Sequence, residues 1–176
     1  MRVAHEIKTK WLNKSDKGVP TKSEILLDGR PTGRQIAGAI LEAAIEWNGH
    51  YLLFMTEDCP FEDGLLIYML DSELKLLDRA TLAVIYGTGW LTSLKLLEPD
   101  MVQFTFFSEI TWILQLLPKA RIGLPFFGEK AGAIWRPWSF LRRFVIHLDP
   151  PKLKTRCTSV TTVIDIDVKR INESHY

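Results

Sequence analysis

The sequence predicts an α+β domain, a twisted antiparallel β-meander sheet or open half-barrel with one main helix near its start packed on it. Two observations predict the sheet. Met101-Val-Gln-Phe-Thr-Phe-Phe and Ile110-Thr-Trp-Ile-Leu-Gln-Leu each alternate polar and apolar residues, and the two-residue break Ser108-Glu109 joins them. That is the pattern of an antiparallel hairpin with one buried face. Similar short apolar runs, bounded by turn residues, precede and follow it. A third observation predicts the helix: Ile36, Ala37, Ile40, Leu41, Ala44 and Ile45 recur at three- and four-residue spacing, which gathers them into one stripe and leaves Arg34, Glu42 and Glu46 on the solvated side.

Residues 1–22 are polar and punctuated by Gly18 and Pro20, so they are expected to form a loosely held arm or a strand plus loop. Ile25-Leu26-Leu27 suits a short strand. Asp28-Gly-Arg-Pro then turns the chain into the helix over residues 32–47, with Thr32 as its N-cap and Asn48-Gly49 as its stop. From His50 the period changes. His50-Tyr-Leu-Leu-Phe-Met-Thr and Gly64-Leu-Leu-Ile-Tyr-Met-Leu read as neighbouring strands joined by the acidic loop Glu57–Asp63, and Leu74–Ile85 adds one or two more. Leu91–Leu97, the turn Glu98-Pro-Asp, the hairpin and Phe144-Val-Ile-His-Leu follow. Val163-Ile-Asp-Ile-Asp-Val closes the series as an edge strand whose outward charges discourage sheet-to-sheet association. Both sides of the strand at His50 are apolar, and a covering helix would bury the second one.

The chain of 176 residues fits a single domain, residues 1–176, with no linker of Ser, Gly or Pro dividing it. A net charge of +1 argues against wholesale nucleic-acid binding, which shows as a basic face. The charges are segregated, however. Glu57, Asp58, Glu62, Asp63, Asp71, Glu73 and Asp78 fall in one stretch, and Lys119, Arg121, Lys130, Arg136, Arg142 and Arg143 in another. Such asymmetry steers charged partners, although a solvated loop of either sign is the plainer reading.

Cys59 and Cys157 lie far apart, without metal-ligand spacing, which fits a reducing cytoplasm. Carboxylates beside Cys59 would raise its thiol pKa, so a nucleophilic role is not expected. Neither His5-Glu6 nor the strand histidines His50 and His147 form a zinc motif, and no metal or cofactor is expected. Gly123-Leu-Pro-Phe-Phe-Gly-Glu-Lys lacks the Lys-Ser/Thr pair of a phosphate loop. The apolar run Met101–Pro118 carries polar residues on alternate positions, so it is a strand pair and not a bilayer span. Two groups remain as binding candidates: the acids Glu57, Asp58, Glu62 and Asp63, and the cluster Trp135, Arg136, Trp138, Arg142 and Arg143, since Trp and Arg are enriched at interface hot spots.

The stretch from His50 to Leu116 resembles small bacterial immunity proteins that accompany contact-dependent growth inhibition and related polymorphic toxins. The residues concerned are His50-Tyr-Leu-Leu-Phe-Met-Thr-Glu-Asp-Cys-Pro-Phe-Glu-Asp, Leu66-Ile-Tyr-Met-Leu-Asp, Leu76-Leu-Asp and Leu96-Leu-Glu-Pro-Asp with its hairpin. They cover less than half of the chain. The resemblance implies a cytoplasmic protein, monomeric on its own and without enzymatic activity, that binds the C-terminal domain of one cognate toxin and blocks it. Such families carry no fixed functional residues, so none is transferred. The alternative from another class is a ligand-binding or enzymatic half-barrel enclosing an apolar pocket.

Overall fold

The computed structural model describes residues 1–13, 21–58, 63–84, 87, 89–107, 110–123, 133–137 and 141–149, and the backbone of 163–166. Within them the chain is all-β and contains no helix. The strands are β1 (Arg2–Val3), β2 (Ile7–Asn13), β3 (Lys22–Leu27), β4 (Arg30–Ala37), β5 (Ile40–Trp47), β6 (His50–Thr56) and β7 (Leu65–Leu70). They continue as β8 (Leu76–Leu82), β9 (Ser93–Leu97), β10 (Met101–Thr105), β11 (Thr111–Ile122), β12 (Ile134–Trp135), β13 (Leu141–Leu148) and β14 (Val163–Ile166). They form three antiparallel sheets: β1-β5-β6-β7-β8-β12, β13-β11-β10-β9-β14 and β2-β3-β4.

The six-stranded sheet is the middle layer. Leu52, Phe54, Ile67 and Met69 point to one side and pack with Leu94, Leu96, Val102, Phe104, Trp112 and Leu114 of the five-stranded sheet. Leu53, Met55, Tyr68 and Leu70 point to the other and pack with Ile7, Ile25 and Ile36 of the three-stranded sheet. Each such side chain contributes about 1.5–3 kcal/mol on burial. Phe54 and Phe104 meet edge to face across the larger interface, with ring centroids 5.4 Å apart. That geometry adds about 0.5–1.5 kcal/mol beyond the area buried. No member of the outer cluster comes from β8 or β12, so the three-stranded layer covers β5, β6 and β7 and stops there.

The hairpin expected from the period-two pattern is present: Met101 faces Gln115, Phe104 faces Trp112 and Thr105 faces Thr111. Val102, Phe104 and Phe106 share one buried face with Trp112, Leu114 and Leu116. Its turn, Ser108-Glu109, lies outside the described residues.

The helix over residues 32–47 is not there, and the α+β class is corrected to all-β. The stretch is β4, a sharp junction and β5. The reason lies in burial on two faces. Ala43, Ile45 and Trp47 face the five-stranded sheet while Ala44 faces the three-stranded one, and the register shift between Leu41 and Ala43 leaves Glu42 as the extra residue. Consecutive apolar positions of this kind reproduce helical spacing without a helix. At the junction Gly38 has φ +117°, and a Cβ there would stand 2.9 Å from the Cβ of Met55. Only glycine fits that backbone at that distance.

The two supposed helix boundaries are hairpin turns. Asp28-Gly29 and Asn48-Gly49 have positive φ at both central residues (50° and 75°, 50° and 74°), and they close the pairs Leu27 with Arg30 and Trp47 with His50. This is the type I′ turn whose twist matches paired strands. Thr32, the expected N-cap, instead donates its hydroxyl to the Ile25 carbonyl at 2.6 Å. Glu42, expected on a solvated face, is buried and accepts the Thr56 hydroxyl at 2.8 Å. The cover that buries the second side of β6 is thus a sheet. Of the stretch expected to be a loosely held arm or a strand plus loop, residues 1–13 are built into two sheets: Arg2 and Val3 pair with β5, β2 pairs with β3, and Ala4 and Ile7 are buried.

Candidate functional site

Glu57 and Asp58 follow β6, and Asp63 stands just ahead of β7. The Asp63 Oδ1 accepts the Glu57 amide at 2.9 Å, an intraloop bond that holds the two ends of the acidic segment together. Burial pushes the Asp63 carboxyl up to about 6; the Glu57 amide opposes this, and the carboxylates of Glu42, Glu57 and Asp58 reinforce it. Loss of water disfavours the ionised form, and like charges nearby do the same. The result is a half-buried acid poised just below neutral pH at the mouth of an acidic corner.

Beside it the sheet brings in an aromatic from far along the chain. β12 pairs with β8 so that Trp135 lies opposite Thr81, which in turn lies opposite Leu66 of β7. The Ala83 amide donates to the Ala133 carbonyl at 2.9 Å and continues the pairing. Asp63, Gly64, Thr81, Val84 and Trp135 line an open concavity of about 400 Å³. Trp135 is 61% exposed and Val84 46%. An exposed tryptophan and a partly desolvated carboxylate on one concave surface form an apolar anchor with a charged rim.

Arg136, the next residue, has the opposite fate. Its side chain is 5% exposed and pairs with Asp78, 1% exposed, at 3.2 Å. Its Nη2 donates to the Phe144 carbonyl at 3.0 Å, and the guanidinium stacks 4.4 Å from the centroid of the Phe144 ring. Asp78 also accepts the amides of Arg79 and Arg143, each at 2.8 Å. This buried pair ties β8 and β12 of the middle sheet to β13 of the five-stranded one. It is a structural knot, since every group around Asp78 belongs to the fold.

The sequence candidates therefore separate. Glu57, Asp58, Asp63 and Trp135 come together at one end of β7 and β8, while Arg136 and the Arg143 amide sit in the knot. Arg142 lies opposite Arg121 at the far end of β11 and β13, and its Nη1 is buried without a hydrogen-bond partner. Glu62 and Trp138, with Cys59 and Cys157, lie outside the described residues. Sequence reasoning missed Asp78 as the partner of Arg136; its one signal is a carboxylate that falls on the same alternate positions of β8 as the apolar Ala80 and Leu82. It also missed the pairing of β12 with β8, for which a two-residue strand leaves no pattern.

Among the described residues no three His, Cys, Asp or Glu side chains converge in a way that could hold a metal ion, and no helix is long and apolar enough to cross a membrane. Comparison of the chain with family models, with curated proteins and with solved structures returns no match.

Proposed function

We propose that the chain is an immunity protein: it captures the C-terminal domain of a cognate toxin in the cytoplasm, acts as a monomer, and neutralises the toxin by covering its active site without chemistry of its own. The observation that supports this most is the meeting of Asp63 and Trp135 in one concavity, with Glu57 and Asp58 close enough to raise the Asp63 pKa. Rim charges of one sign accelerate encounter with a partner of the other sign, and a tryptophan seated in a partner's pocket slows dissociation. The partner is accordingly basic where it meets this corner.

The test is co-expression with the toxin domain in a survival assay, alongside binding kinetics at low and high salt. Reversing Glu57 and Asp58 to Lys and neutralising Asp63 as Asp63→Asn, which keeps an acceptor for the Glu57 amide, is expected to slow association by about tenfold or more at low salt, and less at high salt, with the fold retained. Full protection with unchanged kinetics would remove the acidic corner from the interface.

A further inference from the structure

The three-stranded layer ends at β4, an edge strand, while the middle sheet beneath it runs on through β8 and β12. Between them lies a groove of about 460 Å³, walled on one side by Gly33 to Ala37 of β4 and floored by Tyr68, Leu70, Leu74 and Leu76. Leu76 is 50% exposed there, and Trp135 is exposed farther along. Paired strands lie about 4.8 Å apart and stacked sheets about 10 Å. A fourth strand hydrogen-bonded to β4 would therefore run along this groove and cover the exposed Leu76 beyond the buried Tyr68, Leu70 and Leu74. Pro31 and the register shift between Glu24 and Leu26 protect the first part of the edge. The Gly33 and Arg34 amides are taken by Glu24 Oε1 at 2.9 Å and Thr32 Oγ1 at 3.3 Å, so the part of the edge open to pairing is Gln35 to Ala37. The far end is fixed in place, because the Tyr68 hydroxyl donates to the Ala37 carbonyl at 3.0 Å and the Ala39 amide to the Thr56 carbonyl at 2.7 Å. A rigid edge loses little entropy on pairing.

The charge around the groove selects the occupant. Arg34, Lys75 and Arg79 line it, and no carboxylate does. Lys75 is paired with Glu73 at 2.6 Å, whereas Arg34 and Arg79 make no ion pair among the described residues. Cations on an edge strand repel a second copy of the same edge, and they attract a strand that carries carboxylates.

We propose that β4 takes up an extended, acidic segment of the partner protein as a fourth strand, with its carboxylates on Arg34 and Arg79 and an apolar side chain on the exposed Leu76. Main-chain hydrogen bonds would supply affinity and alternate side chains specificity. This rests on reading the chain as a captor of another protein, yet it is testable without any toxin. The probe is a short synthetic peptide alternating Glu and Val, titrated into the full chain and followed by fluorescence anisotropy and by backbone amide shifts. Two control peptides are the Lys/Val counterpart and a version with proline at its centre. The Glu/Val peptide is expected to bind, to shift the amides of β4, and to lose about tenfold or more in affinity in the double variant Arg34→Glu, Arg79→Glu, both exposed positions; that is about 1.4 kcal/mol or more. The proline peptide and the Lys/Val peptide are expected not to bind. Absence of binding by the Glu/Val peptide, equal binding by either control, or indifference to the charge reversal would each overturn the proposal. If peptides fail while toxin protection persists, strand uptake is lost and capture stands; if protection fails while the peptide binds, the reverse holds.

Discussion

Two aspartates at the two ends of this site repay comparison. Asp78 is almost wholly buried, yet a guanidinium and two amides meet its oxygens. Asp63 is only half-buried and has one amide, with other carboxylates around it. Depth alone therefore does not decide what a buried acid does; the company it keeps does. A carboxylate surrounded by donors is fixed as structure, and one surrounded by acids is left with an unmet demand for a cation. Trp135 and Arg136 repeat the contrast on adjacent residues, the first turned to solvent and the second locked inward.

Breaking the closed side of this comparison gives the largest effect. Arg136→Ala leaves the Asp78 charge buried without its partner, and stability is expected to fall by about 3–5 kcal/mol, read from urea unfolding midpoints. If the loss is instead below about 1 kcal/mol, the knot is not what joins the two sheets. The open side behaves otherwise. Trp135→Ala is expected to change stability by about 0.5 kcal/mol or less, while weakening toxin capture by about 2 kcal/mol, roughly thirtyfold, chiefly through faster dissociation in surface-binding kinetics.

The smallest effect sharpens the difference between the two acids. Asp63 has its pKa raised from 3.8 to about 6, so over that interval the folded state holds a proton that the unfolded state has released. Stability is accordingly highest below the unfolded pKa and declines as pH rises through the folded one. Because the carboxylate is half-exposed and screened by water, the decline is about 1 kcal/mol, below what the shift alone would give. Asp63→Asn keeps an acceptor for the Glu57 amide and removes the charge. Unfolding curves at pH 4 to 7 are expected to lose this component of their slope in the variant, and an unchanged slope would place the titration elsewhere.

Much of the strand order was legible because most strands announce themselves locally. The β10 arm of the hairpin alternates cleanly, since one face of the five-stranded sheet carries Lys95, Gln103 and Gln115, and in β11 only Ile113 breaks the pattern before Leu116. The strand at His50 was readable from its length and its flanking turns. What failed was β4 and β5, and for a physical reason: alternation is the mark of a sheet with one wet face, and β5 has none. Its apolar doublets imitate a helix until Gly38 and the two positive-φ turns are weighed against them. The turn residues Asp28-Gly29 and Asn48-Gly49 were recognised as punctuation, but they serve equally at the end of a helix and in a hairpin. As for the site, both halves were visible as residue types. Their meeting was not, because it depends on a pairing between β8 and β12 that spans more than fifty residues of chain.

The burial of β6 on both faces has a consequence for synthesis. Its outer cover, β2 to β4, precedes it in the chain, and its inner cover, β9 to β11 with β13, follows it. As the polypeptide leaves the ribosome, the outer layer can dock as soon as β7 has emerged. The side formed by Leu52, Phe54, Ile67 and Met69 stays bare until β9 and β10 are made. The nascent chain thus passes through a stage with one finished core and one open apolar sheet, the kind of surface that chaperones hold and that aggregates when crowded.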